Sequence, residues 1–450
     1  MKYFSTMFNN FILEKIILPA GDFCLHTTFI KELDYWRNTI SKLNATELKE
    51  LQNQRLQKLL QHTLATIPFY QKQNIQLTGN PYADIKQFPV MHKSLMKQNI
   101  HNLLIHDEKK MIKEGTSGSS GIHGEVYMTP CEDRNYQAVQ TFLWEWSGYK
   151  IGDPILQTGI AINRGWVKLV KDALFKTHYV NAYNLSYENI IKTLMYAKKS
   201  GKQFFGGYAS SLNLFAEIAI KENINIKFKG ILEWGDKLFD HYKKNIQQAF
   251  SNPIITELYG TTEGFVISAT CEVGNYHLMT PQCYIELLDK DGNEVKPGEL
   301  GYVVVTRLDA LNFPLIRFYL GDLAIKEEET QQCSCGRHFP LLKKVIGRDT
   351  DIVHTPNGKP LIVHFFASLF GNYGEITQFR VVQKIKEEIE IEYIPSSTFY
   401  PEILEIINQE MFSKAQEKFN IKYIQVNSIP ATPSGKPQII QNLITQKLVS

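Results

Sequence analysis

Four short stretches of this 450-residue chain combine residue types that suit phosphate chemistry. The first, GTSGSSG, runs from Gly115 to Gly121. Its glycines let the backbone approach a ligand closely, and its N–H and hydroxyl groups suit phosphate oxygens. It lacks the lysine that ends a Walker A loop. On composition alone, a flexible surface linker is the alternative interpretation.

The second stretch, ELYGTTEG, covers residues 257–264 and predicts a strand that enters a glycine turn. The ring of Tyr259 could stack on a base, and the carboxylate of Glu263 could hold Mg²⁺ through one or two oxygens. An ordinary strand and turn would have a similar sequence. This stretch alone therefore does not distinguish a nucleotide-binding turn from a turn with a purely structural role.

The third stretch, PLIRFYLGD, ends in Asp322 after an apolar segment and a glycine, which predicts a carboxylate at the end of a strand near a cleft. Such a carboxylate could accept both hydroxyls of a ribose, but Arg317 and Asp322 could equally form a structural ion pair. The fourth stretch is PSGK at 433–436. Lys436 on that turn could neutralise charge that develops on a phosphate or carboxylate, although out of context it would be a solvated lysine.

The elements that must position these residues change character along the chain. Residues 28–70 have apolar positions at helical spacing. From 132 to 330, helical segments alternate with β-rich runs such as IITELYG, YIELLD and GYVVVTRL, which predicts an α/β body. From about 350, the strand-like runs FRVVQ, EIEIEYI and KYIQVNSI and a helix from Pro401 to Phe419 predict a compact α+β unit.

Composition argues against several classes of protein. Basic and acidic residues nearly balance, at 49 and 46, so a dedicated nucleic-acid binder is not expected. Six cysteines are too few for a disulfide scaffold. The first apolar run is interrupted by Glu14 and Lys15, which predicts an amphipathic helix packed on the body of the protein and not a membrane span. We expect a cytoplasmic monomer or homodimer without a transmembrane segment.

Together, in this order, the four stretches resemble the AMP-forming adenylating enzymes. Within that superfamily the chain is similar to the phenylacetate–CoA ligase family, including its relatives in capsular polysaccharide clusters. The resemblance extends over nearly the whole chain, and it rests on IPFY at 67–70, TSGSSG, GYASSL at 207–212, ELYGTTEG, GELGYVVVT, PLIRFYLGD, CSCGR, IGR at 346–348 followed by Asp351, and PSGK.

The resemblance implies a large N-terminal adenylate-forming domain of mixed sheets and helices at 1–347, with a helical segment at 1–70. It also implies a small, mobile α+β domain at 348–450, which rotates after adenylation so that a thiol acceptor can reach the acyl-adenylate. The implied hinge lies within Asp349, Thr350 and Asp351.

The resemblance also implies the nucleotide site. The glycine–hydroxyl loop would grip the ATP phosphates, Tyr259 would flank the adenine, and Asp322 would bind the ribose hydroxyls. Arg348 would approach the ribose or a phosphate. The implied nucleotide-binding residues are Thr116, Ser117, Gly118, Ser119, Ser120, Gly121, Tyr259, Gly260, Thr261, Asp322 and Arg348.

Three residues are implied in the reaction itself. Thr262 would contact the α-phosphate, Glu263 would hold Mg²⁺, and Lys436 would bridge the reacting carboxylate and the α-phosphate. This chemistry needs backbone N–H groups, a cation and good positioning, and it needs no side-chain nucleophile.

The chain departs from the family pattern in three places. Ile122-His123-Gly124 follows the glycine loop, where a lysine is common, and His123 could partly substitute for it. Tyr319-Leu320 replaces an Arg and a Thr before Asp322, and Thr350 stands where a hinge acid is usual. None of these changes removes Glu263, Asp322 or Lys436, so activity is still expected.

A group of cysteines suggests a metal. Cys333 and Cys335 form a close pair, and with Cys271 and His277 they would make a tetrahedral set typical of structural Zn²⁺. Zinc at a comparable place is also implied by some relatives in the family. Cys283 is a rival ligand, and four reduced cysteines are the alternative interpretation.

The leading hypothesis is an acyl–CoA ligase that uses ATP, Mg²⁺, a small carboxylic acid and CoA. The rival is an adenylating enzyme that passes its acyl group to a sugar amine, a hydroxyl or a carrier thiol in cell-surface polysaccharide biosynthesis. A third hypothesis is a non-catalytic nucleotide-binding scaffold. The aromatic residues that could form walls of the acid pocket, or could simply pack in the core, are Trp144, Trp146, Phe205, Tyr208 and Trp234.

Overall fold

A computed structural model of the chain describes residues 10–105, 107–115, 125–159, 165–182, 185–348, 352–358, 360–370, 372–430 and 438–444. Its helices are α1 (Leu13–Ile17, wound as a π-helix), α2 (Leu18–Leu25), α3 (Phe29–Asn38), α4 (Ala45–Thr66), α5 (Pro68–Gln71), α6 (Pro81–Asp84), α7 (Lys93–Gln98), α8 (Ile100–Leu103), α9 (Pro130–Trp144), α10 (Trp166–Leu174), α11 (Tyr187–Ser200), α12 (Ala209–Lys221), α13 (Asp240–Ala249), α14 (Val363–Phe370) and α15 (Ile403–Ala415). Its strands are β1 (Ile112–Gly115), β2 (Glu125–Met128), β3 (Ile155–Gly159), β4 (Thr177–Asn181), β5 (Phe204–Gly207), β6 (Gly230–Trp234), β7 (Ile254–Gly260), β8 (Val266–Thr270), β9 (Tyr276–Leu278), β10 (Cys283–Leu288), β11 (Leu300–Arg307), β12 (Phe318–Lys326), β13 (Leu341–Arg348), β14 (Ile352–His354), β15 (Pro360–Ile362), β16 (Ile376–Ile385), β17 (Glu388–Pro395), β18 (Asn420–Gln425) and β19 (Ile440–Asn442).

The main sheet has eleven strands in the order β10-β11-β12-β13-β9-β8-β7-β6-β5-β3-β4. The strands from β7 to β4 are parallel, whereas those from β7 to β10 are antiparallel. Buried side chains of α11 and α12 pack against the parallel half. The predicted α/β body is therefore confirmed, and the runs IITELYG, YIELLD and GYVVVTRL form β7, β10 and β11 within one residue of the expected bounds.

The C-terminal part forms a second sheet in the order β18-β17-β16-β19, with its own apolar core. Helix α15 contributes Ile403, Ile407 and Met411 to that core, as an amphipathic helix should. This confirms the predicted α+β unit. The boundary between residues 347 and 348 and the mobility of this unit stay predictions, and β13 carries the main sheet as far as Arg348.

The N-terminal segment is helical, as expected. Helix α4 begins with a capping box, in which Asn44 and Glu47 satisfy each other's backbone N–H groups. The first helices match the predicted packed amphipathic helix only in part. Leu13 of α1 is buried, as that prediction requires, but α2 buries none of its residues. Within the described parts of the chain, no helix has both the length and the apolar character needed to cross a membrane.

Arg317 does not pair with Asp322, which was one of the two interpretations of that stretch. Its guanidinium donates to both carboxylate oxygens of Glu286, at 3.0 and 2.9 Å, and to the carbonyl oxygen of Phe88 at 3.1 Å. Both charged side chains are buried. This pair fixes the residue just before β12 against β10, and it leaves the Asp322 carboxylate to other partners.

We expect Glu286→Gln to lower the free energy of unfolding by about 3 kcal/mol or more, because Arg317 would keep its charge without a carboxylate. Denaturant unfolding of the purified protein measures this. The matched control is Glu294→Gln, which breaks the exposed Lys326–Glu294 pair and should cost less than about 1 kcal/mol. Equal losses in the two variants would contradict a stabilising role for the buried pair.

Candidate active site

Three turns meet at the carboxyl edge of the parallel strands, which is where open α/β sheets bind ligands. Tyr208 follows β5, Gly235 and Asp236 follow β6, and the turn from Thr261 to Gly264 follows β7. Asp236 accepts hydrogen bonds from the backbone N–H groups of Ala209 and Ser210, at 2.6 and 3.3 Å, and so caps α12. The loops that follow β5 and β6 are therefore held together by these contacts.

The turn after β7 has a defined shape. The N–H of Thr261 donates to the carbonyl of Phe265, and the N–H of Gly264 donates to the carbonyl of Thr261. Gly264 has a φ of +86°, and a Cβ there would lie 2.6 Å from Nη1 of Arg307. Glycine is therefore required. The result is an exposed Thr262 beside a buried Glu263.

Asp322 lies within β12 and not at the end of a strand, so that part of the prediction is wrong. Gly321 has a φ of +75°, and the pairing of β12 with β13 shifts register between Leu323 and Ala324. This irregularity is typical of a bulge, which can redirect side chains inside a sheet. The binding role of Asp322 stays a prediction, and a glycine before an acid does not reveal that the strand continues.

The Asp322 carboxylate brings together two more of the predicted residues. The Tyr259 hydroxyl donates to its Oδ2 at 2.8 Å, and Nε of Arg348 is 3.9 Å from its Oδ1. Burial raises the pKa of Tyr259 well above its ordinary value, and the neighbouring carboxylate adds to that shift. The phenol therefore stays a hydrogen-bond donor at every physiological pH.

Lys93 was not predicted, yet it contacts a predicted residue. Its Nζ lies 3.1 Å from Oε1 of Glu263, and both side chains are largely buried. Lys93 is the first residue of α7, and Met91 just before it exchanges backbone hydrogen bonds with Arg317 and Tyr319 at the start of β12. The lysine is thus placed by the sheet, although it lies 170 positions from Glu263 in the sequence.

Glu257 is a second residue that the sequence did not single out. It points to the same face of β7 as Tyr259, since side chains two apart on a strand share a face. It lines a cavity of about 150 Å³ together with Tyr276, Lys237 and Lys243. Burial raises the pKa of Glu257 to about 7, against the opposing effects of the Tyr276 hydroxyl and the two lysines.

The predicted phosphate loop and the predicted reactive lysine lie outside the described residues. This applies to Lys436 and to every residue from Thr116 to Gly121. The described hairpin of β1 and β2 flanks the loop, with Gly115 paired to Glu125. The carboxylates of Glu114 in β1 and of Glu263 both raise the pKa of Tyr136, after the larger effect of burial.

The five candidate pocket aromatics divide into two groups. Phe205 and Trp146 are buried in hydrophobic clusters, as core packing predicts. Trp144 and Trp234 are half-buried, with ring centroids 5.6 Å apart, and a Cβ on Gly206 would lie 2.8 Å from the Trp234 ring. Trp144, Trp234 and the half-buried Tyr208 therefore stay candidates for the acid pocket.

The four predicted zinc ligands come together. The ligand atoms of Cys271, His277, Cys333 and Cys335 lie within 4.8 Å of one another. Cys271 Sγ is 3.7 Å from Cys333 Sγ, and Cys335 Sγ is 3.3 Å from His277 Nε2. The other ring nitrogen of His277 contacts the Phe339 carbonyl at 3.2 Å. Cys283, the rival, instead contacts the Val266 carbonyl within the core.

Comparison with known proteins identifies a matching family and related sequences. Residues 353–443 match the family described as the CapK C-terminal domain. The chain is 22% identical to the protein CapK of Staphylococcus aureus over 414 residues, which cover 88% of this chain and 90% of the relative. It is 29% identical to a phenylacetate–coenzyme A ligase of Thermus thermophilus over 167 residues, or 35% of this chain and 37% of that one.

Among solved structures, the fold matches 2-hydroxyisobutyryl-CoA ligase in its postadenylation state with R3-HIB-AMP. The TM-score is 0.70 at 17% identity, and the match covers 89% of this chain and 90% of the other. The same enzyme with 2-HIB-AMP and CoA in its thioesterification state gives a TM-score of 0.58 at 19% identity, covering 89% and 91%. The chain thus shares the fold of this CoA ligase. The chain is a homologue of CapK and of phenylacetate–CoA ligase.

Proposed function

We propose that this chain is an ATP-dependent ligase, which joins a carboxylic acid to AMP with release of pyrophosphate and then passes the acyl group to the thiol of CoA. The observation that carries the proposal is the contact of Asp322 with Tyr259 and Arg348, next to the turn after β7 that holds Glu263. Each has the chemistry of one part of MgATP, and the four come from three separate strands and a turn.

In this proposal, Asp322 binds the ribose hydroxyls and Arg348 approaches the ribose or a phosphate. Tyr259 flanks the adenine. The turn that contains Gly260, Thr261 and Thr262 approaches the α-phosphate, and the loop from Thr116 to Gly121 holds the other phosphates. Backbone N–H groups and hydroxyls at such a site stabilise charge that develops on phosphoryl oxygens.

The first step is a displacement at phosphorus. A carboxylate oxygen of the acid attacks the α-phosphorus, the bond to the bridging oxygen breaks, and pyrophosphate leaves with the electron pair. Lys436 would neutralise the two approaching anions. In the second step the CoA sulfur attacks the acyl carbon, its proton passes to solvent, and AMP leaves.

The acceptor and the acid are the least constrained parts of the proposal. The rival acceptors are a sugar amine, a hydroxyl or a carrier thiol in cell-surface polysaccharide biosynthesis. The similarity to CapK is the reason to test them. Trp144, Tyr208 and Trp234 are the proposed walls of the acid pocket. A non-catalytic scaffold is disfavoured, because it would not need the buried Glu263 and the Asp322 contacts together.

We expect pyrophosphate exchange into ATP that depends on one class of carboxylic acid, and Lys436→Ala should slow it by about a hundredfold or more, since a charge-stabilising group is lost. Lys447→Ala, in the same C-terminal segment, is the matched control and should leave the rate unchanged. Adding CoA should release AMP together with a thioester.

Absence of exchange with every acid would favour the scaffold. Exchange without a CoA product would favour a different acceptor. An unchanged rate in Lys436→Ala would contradict the role assigned to that lysine.

The Lys93–Glu263 pair suggests how MgATP enters the site. Glu263 supplies a carboxylate of the kind that Mg²⁺ prefers, and in the structure Lys93 forms an ion pair with one of its oxygens. When the metal–nucleotide complex binds, Glu263 would turn to the metal, and Lys93 would be released toward the triphosphate. The lysine could thereby supply the positive charge that is absent after the glycine loop, where Ile122 stands.

We expect Lys93→Met to raise the KM for MgATP by about tenfold or more, because a charge-assisted contact to phosphate is lost. Steady-state exchange kinetics measure this. Lys97→Met changes an exposed lysine of the same helix and should have little effect. If Lys93→Met lowered only protein stability and left the KM unchanged, the lysine would be a purely structural partner of Glu263.

The proposal includes a structural zinc bound by Cys271, His277, Cys333 and Cys335. Tetrahedral Zn²⁺ places two thiolate sulfurs about 3.8 Å apart, and a sulfur and an imidazole nitrogen about 3.6 Å apart. The distances of 3.7 and 3.3 Å fit that arrangement. The Phe339 carbonyl can fix the His277 tautomer so that Nε2 faces the metal, as carbonyls do behind ligating histidines. Zinc would fasten β8 and β9 to the segment before β13.

We expect about one zinc per chain in protein purified without chelators, and less than about a fifth of that in Cys335→Ser. Elemental analysis of the folded fraction measures the content. Cys283→Ala removes the rival thiol and should keep the zinc. The zinc assignment would be wrong if wild type and Cys335→Ser contained equal, substoichiometric zinc.

A further inference from the structure

One buried arginine lies against the turn that holds Glu263. Arg307 is the last residue of β11, and it is 2% exposed. A Cβ on Gly264 would lie 2.6 Å from Nη1 of Arg307 and 2.8 Å from Sδ of Met128. Arg307 and Met128 also contact each other, since Nη1 is 3.2 Å from Sδ. The turn after β7, the end of β11 and the end of β2 therefore meet at one point.

The other edge of the guanidinium fixes Arg307 in place. Its Nε and Nη2 donate to the two carboxylate oxygens of Asp309, at 2.6 and 3.3 Å, and Nη2 also donates to the carbonyl oxygen of Glu132 at 2.7 Å. The Glu132 carboxylate in turn accepts hydrogen bonds from the backbone N–H groups of Leu311 and Asn312, at 2.9 and 3.2 Å. The first turn of α9 and the segment after β11 thus hold the guanidinium in a single orientation.

The Nη1 end of the guanidinium has a much poorer partner. Among the described residues, its acceptor is the thioether of Met128, and a thioether accepts hydrogen bonds only weakly. A buried charge with incomplete hydrogen bonding lowers stability, and apolar side chains of similar volume can often replace a buried ion pair without loss. Packing alone therefore does not explain why a cation lies at the point where the three elements meet.

Met128 connects this point to the predicted phosphate loop. It is the last residue of β2, and the hairpin of β1 and β2 pairs Ile112 with Met128 at one end and Gly115 with Glu125 at the other. The predicted loop, residues 116–121, lies between these two strands in the sequence. By holding the end of β2, Arg307 also sets the position of the hairpin from which that loop extends.

From this three-way contact, we propose that Arg307 is a positioning residue of the active site, which holds the Glu263 turn in register with the β1–β2 hairpin. The inference rests on the proposed function, in which Glu263 holds Mg²⁺ and the loop after β1 holds phosphates of the same nucleotide. Arg307 does not touch the nucleotide in this arrangement, and it acts through Gly264 and Met128.

The geometry of the side chain suits this role. The planar guanidinium makes contacts from both of its edges at once, whereas the ammonium of a lysine is a single point of charge on a flexible chain. Displacing reactive groups by about 1 Å can slow a reaction on the order of a hundredfold. A lysine at position 307 would keep the charge but lose the fixed spacing between the turn and the hairpin.

The test measures the binding of ATP to the full-length protein by equilibrium dialysis over a range of Mg²⁺ concentrations. In Arg307→Lys we expect the Mg²⁺ concentration at half-maximal binding to rise by about tenfold or more, as happens when residues that orient a metal ligand are changed. Met128→Leu preserves the volume of the side chain and removes the sulfur, and it should shift the Mg²⁺ dependence in the same direction by about twofold or more. Loss of folded protein alone would lower the amount of ATP bound without moving this midpoint.

The matched controls lie in the C-terminal unit. Arg380→Lys changes an arginine that is paired with Glu392, and Met411→Leu changes a buried methionine of α15. Both should keep the Mg²⁺ dependence of the wild type. Circular dichroism and thermal unfolding check that each variant is folded.

The positioning role is overturned if folded Arg307→Lys binds ATP with the Mg²⁺ dependence of the wild type. If Arg307→Lys does not fold, an unchanged midpoint in Met128→Leu overturns it. A wild type that binds no ATP at any Mg²⁺ concentration would instead overturn the proposed function, and this inference with it. Binding of ATP without pyrophosphate exchange would favour the scaffold hypothesis, and the Mg²⁺ midpoints of the variants would still decide the role of Arg307.

Discussion

Strand β7 has a parallel neighbour on one side and an antiparallel neighbour on the other, and the candidate site depends on this change of direction. On the parallel side, β5 and β6 end at the same edge as β7, so their loops meet there. On the antiparallel side, the sheet continues to β12 and β13, which contribute Asp322 and Arg348. A wholly parallel sheet would need helical crossovers between these strands, and it would separate Tyr259 from Asp322.

Sequence patterns predicted the two folded units of the chain well. The alternation of helical and β-rich runs gave the α/β body, and the change near residue 350 gave the second sheet. The carboxylate of Asp322 and the turn at Glu263 were found from residue type and a neighbouring glycine. The position of Asp322 within β12 was not, because a register shift depends on pairing with β13 and leaves no local pattern.

The residues that sequence analysis missed have a common physical reason. Lys93 stands in a helix of ordinary composition, and only the backbone bonds of Met91 to β12 bring it to Glu263. Glu257 is part of the recognised stretch, but its burial beside Tyr276 comes from another strand. Similarly, Cys283 could not be separated from the metal ligands until the pairing of β10 with β11 placed it in the core. Long-range contacts decide all three cases.

The hydrogen bond from Tyr259 to Asp322 has a consequence for the sugar that the proposed site would accept. The carboxylate already has a donor at 2.8 Å, so a ribose must compete with an internal group for it. A sugar with two adjacent hydroxyls can replace that donor and add another, whereas a deoxyribose can only exchange one for one. Sugar selectivity would then arise because each nucleotide must displace the Tyr259 hydroxyl from the Asp322 carboxylate. Only a sugar whose hydroxyls bind that carboxylate better than the phenol does would be favoured.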